Sequence, residues 1–259
     1  MYQERYIAFI DILGFKDTVE KTYKSETEFN RLKSAIQHIE FLRKINYESP
    51  LGAEFTNMEF SMFSDSIVIS YPDGNAFRIL GEISSLCVDL ISRGYIFRGG
   101  ITFGSLIHEG QICYGPAMNK AAELEKRACQ PRILVEPIVI EQGLKHTILS
   151  SDTEEEERYI MKYLKSDEDI LFLDYLGCRD TSMSEEDYIN LMKKVRKLIF
   201  SEYMQVTSKL LICSNLNEME NARKLERVKE KYIWFSRYYN SAIEENLINK
   251  ELLINLANL

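Results

Sequence analysis

The 259-residue chain has no run approaching the ~20 consecutive apolar residues that a membrane-spanning helix needs, and Met1-Tyr-Gln-Glu-Arg5 leads into a strand-like segment rather than a secretory signal. The expected location is the cytoplasm, without membrane contact. Cysteine is sparse: Cys87, Cys113, Cys129, Cys178 and Cys213 are spread widely and never form Cys-x-x-Cys. That argues against a disulfide framework or a zinc site and leaves buried free thiols as the expectation. The three histidines, His38, His108 and His146, have no ligand spacing, and His108-Glu-Gly110 reads as a turn. Neither a Gly-x-x-x-x-Gly-Lys-Ser/Thr loop nor a Gly-x-Ser-x-Gly elbow occurs, which argues against a P-loop ATPase and an α/β-hydrolase. Positive charge is also short, with 32 Lys and Arg against 40 Asp and Glu for a net −8. Nucleic-acid tracking is therefore not expected. A single nucleotide is still permitted, because a bound cation reverses the field locally.

What is present is ordinary globular material, 45% apolar and 28% charged, in a length that admits one large domain or one domain with an extension. Residues 6–15 form an almost continuous apolar run ended by glycine and read as a buried strand. Residues 18–45 repeat apolar positions at helical steps, and Ser49-Pro-Leu-Gly52 breaks them. Two short β-rich runs, 59–63 and 67–71, flank Ser64-Asp65-Ser66 as a hairpin. A helix over 77–92, a strand over 96–103 and a helix from Pro116 through Glu125 or beyond follow, the last stopped by Pro131. Residues 132–135 and 137–140 read as a further strand, 150–157 as a solvated acidic loop, and 171–176 as a last strand. Ser184-Glu-Glu-Asp187 resembles a capping box, and from there the pattern is helical and free of proline. The expected architecture is an α+β body over 1–180 and a helical extension over 181–259. Tyr232-Ile-Trp-Phe-Ser-Arg-Tyr-Tyr239 reads as a packing face, covering either a dimer contact or the body.

Asp11 breaks the first strand where the pattern demands a hydrophobe. A buried, unpaired carboxylate would cost several kcal/mol, so a cation should meet it, in either a structural ion pair or a metal site. Asp65 alone is ordinary turn chemistry. Together, an adjacent strand and hairpin could set two carboxylates at one sheet edge, the donor set that Mg²⁺ or Mn²⁺ prefers. Such a pair suits phosphoryl transfer.

Phe9-Ile-Asp11-Ile-Leu-Gly-Phe15, Phe63-Ser-Asp65-Ser66, Arg98-Gly-Gly-Ile-Thr-Phe-Gly104 and Tyr114-Gly-Pro-Ala-Met-Asn119-Lys-Ala-Ala resemble, in this order, the class III nucleotidyl cyclases. The resemblance spans about residues 6–140 and is closest to the pyrimidine cyclases of bacterial Pycsar antiphage systems. It implies a cyclase palm, a head-to-tail homodimer with active sites at the interface, and two Mn²⁺ or Mg²⁺ ions held by Asp11, Asp65 and the carbonyl of Ile12. It also implies conversion of UTP, or CTP, to cyclic UMP or cyclic CMP, which opens a separate effector during infection.

Ser61 and Ile112 stand where adenylate cyclases carry their adenine-reading lysine and aspartate. Elimination of those readers, with the overall resemblance, favours a pyrimidine; Ser61, Ile112 and Phe15 are the expected nucleotide-binding side chains. Asn119 matches the family's transition-state asparagine. The arginine expected four residues later is Glu123, so Arg127 or Lys120 would supply that charge, with Glu123 and Arg127 paired at i,i+4. Arg98 is read either as a phosphate contact or as a structural ion pair. The rival readings are a degenerate cyclase domain that binds without turnover and a cyclic-dinucleotide synthase; the latter is disfavoured by Phe63-Ser-Asp-Ser-Ile in place of Gly-Gly-Asp/Glu-Glu-Phe.

Overall fold

The structure, a computed structural model, describes residues 1–48, 58–146, 152–178, 183–215 and 218–256, without the side chains of 38–48 and 214–215. The chain divides into two compact units, Met1–Asp174 and Tyr175–Leu259. The expected boundary at 180/181, the break at 49–52 and the start of the acidic segment at 150–151 lie outside the described residues, as does the His38 side chain.

The first unit is an α+β mixed sheet with flanking helices. Strand β1 (Gln3–Ile12) lies between β3 (Ser66–Pro72) and β4 (Phe97–Glu109) and is antiparallel to both. This central position explains its apolar run: Tyr6, Ile7, Ala8 and Ile10 are fully buried on alternating faces. β2 (Glu59–Phe63) is hairpinned to β3, and β5 (Ile112–Tyr114) returns on the far end of β4. Beyond β4 come β6 (Ile133–Val135), parallel to it, then β8 (Ile170–Leu173) and β7 (Leu164–Asp167). Helix α3 (Ala76–Ser92) starts at Asn75, whose side chain accepts from the Arg78 amide at 2.9 Å.

Helix α4 (Pro116–Ala128) has Pro116 in its first turn. Its Ala117 and Ala121 pack with Ile7, Val68 and Leu106 over one face of the sheet. A methyl group on Gly100 would stand 2.3 Å from Leu124 Cβ, so Gly100 serves the close seating of α4 on β4, whereas one on Gly99 would meet the Phe9 carbonyl of β1 and Ile133 of β6.

Five expectations change. Residues 18–45 are not one helix: α1 (Phe15–Thr22) and α2 (Glu26–Glu48) are separate. Ser25 Oγ accepts from the Glu28 amide at 3.3 Å, an N-cap within the pattern Ser25-Glu-Thr-Glu28 that starts a new helix. Residues 137–140 form α5 (Pro137–Gly143) rather than a strand, since Pro137 suits a first helical turn and has no N–H for a ladder. The acidic segment is helix α6 (Thr153–Met161): Asp152 accepts from the Glu154 amide at 3.0 Å, and three glutamates in the first turn oppose the helix dipole favourably. Within it Glu156 is fully buried and accepts from Asn75 Nδ2 at 2.9 Å. His108 is in β4 and 4% exposed, and Ser70 Oγ lies 2.9 Å from its Nδ1. Finally, the five thiols are free, but only Cys87 is buried and Cys129 is exposed.

In the second unit, α7 (Glu185–Asn215) and α8 (Met219–Glu245) form a helical pair followed by a short 3-10 turn, Lys250–Leu252. Ser184 caps α7, accepting from the Asp187 amide at 3.1 Å. The aromatic segment of α8 packs inside this unit. Phe235, Tyr238 and Tyr239 are buried, Tyr238 sits edge-on to Tyr175 at 5.5 Å, and its hydroxyl accepts from the Leu176 amide at 2.9 Å.

Candidate functional site

β1 ends at Asp11 and Ile12, and the β2–β3 turn ends at Asp65 and Ser66. Asp11 is in register with Ser66 on one side and Arg98 on the other, and the Ile12 amide donates to the Asp65 carbonyl at 2.8 Å. The main chain therefore holds the two aspartates at neighbouring positions of one sheet end, and both are half-buried. Ser64, with φ 57°, gives the turn its left-handed residue. Immediately beyond, Gly14 (φ 71°) leads into α1, whose first amides carry the partial positive charge that favours anions. Phe15 is the first residue of that helix and is half-buried.

Arg98 meets Asp11 as a cation, as the broken apolar pattern demands. Its Nε is 3.5 Å from Asp11 Oδ2 and 2.5 Å from Glu125 Oε1, the latter on the buried face of α4. The contact with Glu125 is a close ion pair in which the Nε–H is not aimed at Oε1. Burial raises the Glu125 carboxyl above its usual range, Arg98 opposes that rise, and Asp11 adds to it. Sequence reasoning passed over Glu125. Its signal is positional, since it lies four residues after Ala121 on the stripe of Ala117, Ala121, Leu124 and Ala128.

The remaining candidates are dispersed around this centre. The register places Ser61 opposite Val68, on the same sheet face as Phe9 and Asp11; Ser61 is buried, whereas Ile112 on β5 is 61% exposed. Asn119, Glu123 and Arg127 are exposed along α4. The expected Glu123–Arg127 pair does not form, as befits a solvated i,i+4 pair whose gain of a few tenths of a kcal/mol barely exceeds the entropy of ordering it. Lys120 is engaged elsewhere: its Nζ lies 3.1 Å from Glu136 Oε1, and Glu136 also accepts from the Thr102 hydroxyl.

Two half-buried carboxylates and a main-chain carbonyl are hard oxygen donors. They fit Mg²⁺ or Mn²⁺ in the mode where one or two carboxylates plus substrate phosphates complete the shell. Among the described residues no group of three His, Cys, Asp or Glu forms a ready cage, so a metal here would be held jointly with a ligand.

No family model matches the chain, and no curated protein matches it. Among solved structures, the adenylyl cyclase CyaB from P. aeruginosa aligns with 14% identity over 55% of this chain and 81% of its own, at a TM-score of 0.37. The guanylyl cyclase Cya2 aligns with 12% identity over 55% and 79%, at a TM-score of 0.36. Scores this low carry no inference about activity, so function is argued from the residues.

Proposed function

We propose that this protein is a homodimeric nucleotidyl cyclase that converts a pyrimidine nucleoside triphosphate, UTP in preference to CTP, to the 3′,5′-cyclic monophosphate and pyrophosphate. The observation that carries this reading is the seating of Asp11 and Asp65 side by side at one sheet end, next to Arg98 and the start of α1. The motif resemblance supplies the reaction class, the dimer and the pyrimidine. It alone supports the role in antiphage signalling through a separate effector.

Asp11, Asp65 and the Ile12 carbonyl would hold Mn²⁺ or Mg²⁺, which when bound neutralises phosphate oxygens and acidifies the attacking 3′-hydroxyl. The chain's own part is orientation and charge. The α1 amides face an anion, Ser61 and Ile112 border the base, and Asn119 presents its amide from the first turn of α4. Of the two cations offered for the developing phosphate charge, Lys120 is held by Glu136, whereas Arg127 is exposed in the last turn of α4. The proposal assigns that role to Arg127.

The test is incubation of the purified protein with each nucleoside triphosphate and Mn²⁺, with products resolved by mass. Cyclic UMP or cyclic CMP, lost by at least 100-fold in Asp65→Ala, is the expected result. No cyclic product from any of the four would refute the proposal. It would favour the non-turnover nucleotide-binding reading, for which the exposed carboxylate of Glu123 speaks. A dinucleotide product would reveal a synthase.

A further inference from the structure

Arg98 stands between two carboxylates with different surroundings. Asp11 faces it across the β1–β4 ladder, and Glu125 reaches it from α4. The distances are unequal, 3.5 Å to Asp11 Oδ2 and 2.5 Å to Glu125 Oε1, and so is the exposure: 20% of the Asp11 side chain is accessible against 7% of Glu125. The more open carboxylate is thus the one farther from Arg98 Nε. The more buried one, which no solvent cation can reach easily, carries the closer contact.

A guanidinium resting on Asp11 alone would compete with any divalent cation for the same oxygens. Glu125 gives that guanidinium a second seat. Were Glu125 absent, a partly buried Arg98 would have Asp11 as its one carboxylate among the described residues, and drawing Asp11 away to a metal would strand a buried positive charge. With Glu125 present, Arg98 stays compensated whatever Asp11 binds. The Nε–H is not aimed at Oε1, so at that atom pair the attraction is that of charge at close range.

We propose that Glu125 is a positioning residue: it retains Arg98 on the α4 side and so keeps Asp11 available as a metal ligand. This rests on the reading of Asp11 as a ligand in the preceding section. Glu125 itself touches neither metal nor nucleotide in the proposal; it acts through Arg98. Outer partners of metal ligands typically change affinity by about 10 to 100-fold.

Mn²⁺ binding to the full-length protein saturated with 3′-deoxy-UTP, which lacks the attacking hydroxyl and cannot cyclise, measured by the electron paramagnetic resonance of free Mn²⁺, tests it apart from activity. Glu125→Gln should weaken Mn²⁺ binding about tenfold or more, and Glu125→Asp should retain most of it. The double variant Arg98→Gln/Glu125→Gln removes the competing guanidinium with its seat and should return affinity to within about threefold of wild type. A purely structural role would leave the double variant as weak as Glu125→Gln, or weaker, and would overturn the proposal. So would wild-type affinity in Glu125→Gln. Asp11→Asn separates this from the parent reading: wild-type binding there would remove Asp11 as a ligand and take both ideas down. Binding lost in Asp11→Asn but unchanged in Glu125→Gln would refute the role of Glu125 alone. Circular dichroism of each variant separates misfolding from altered affinity, with the double variant as the deciding measurement.

Discussion

Replacing Gly100 by alanine tests how closely α4 must sit on the sheet. The added Cβ would be 2.3 Å from Leu124 Cβ, 2.7 Å from the Ala121 carbonyl oxygen and 3.2 Å from the Glu125 amide nitrogen. Carbon atoms pack best at ~3.5–4.0 Å, so α4 has to lift by about 1.4 Å at its middle. None of the three atoms is the loose end of a side chain, so rotation cannot relieve the clash. Overpacking costs ~1–3 kcal/mol, and this rigid contact belongs at the upper end. The loss of unfolded-state freedom on going from glycine to alanine returns about 0.5–1 kcal/mol. The net is about 2 kcal/mol, or a fall of about 4–8 °C in the melting temperature of a unit of this size. Calorimetry should show the shift in the transition of the sheet unit. The matched control is Gly74→Ala, where the nearest atom is the Pro72 carbonyl oxygen at 4.0 Å, and the change should stay within ~0.5 kcal/mol. Equal melting temperatures for the two variants would refute the close seating of α4. With it would fall the account of how Asn119 and Glu125 are held relative to Asp11.

Two other expectations concern stability. Burial first, and the Arg5 charge second, lower the His108 pKa from 6.5 to about 4. Between those values the unfolded chain takes up a proton that the folded chain refuses, so stability is complete above pH 6.5 and falls by about 3 kcal/mol on acidification to pH 4. Urea unfolding of wild type and His108→Gln at pH 7, 5.5 and 4 should show the variant losing that much less; parallel losses would exclude His108. In the second unit, Ser184→Ala removes the acceptor for the Asp187 amide and should cost about 1 kcal/mol in urea unfolding. An unchanged midpoint would mean that the exposed cap contributes nothing.

The strands nearest the candidate site were legible because burial on both faces leaves a continuous apolar run, as in β1, and because the β2–β3 turn is flanked by β-rich segments. The single aspartate within β1 was legible for the same reason, as a charge in a place that admits none without a partner. What the pattern concealed has local causes. Ser25 divides one amphipathic run into two helices by capping, which leaves the apolar spacing almost unchanged. Ile138, Val139 and Ile140 carry strand propensity, yet Pro137 turns them into a helix. The glutamates of α6 look solvated until Asn75, 81 residues earlier, supplies the donor that buries one of them. Glu125 was hidden because its reason to be on a buried face is Arg98, a neighbour made by tertiary structure alone.

Tyr175, Leu176 and Gly177 have a meaning for where this protein can be divided. The Leu176 amide donates to Tyr238, the Leu176 carbonyl accepts from Tyr188 at 2.5 Å, and Asn246 Nδ2 donates to the Gly177 carbonyl at 3.0 Å. A severed helical pair that began after residue 180 would lose all three of those hydrogen bonds, although Asn246 would keep the Ala242 carbonyl and the Tyr188 hydroxyl. The short lead-in at 175–177 is therefore a component of the helical unit in the sense that a plug belongs to its socket, and the two units are separable as pieces only if it travels with the helices.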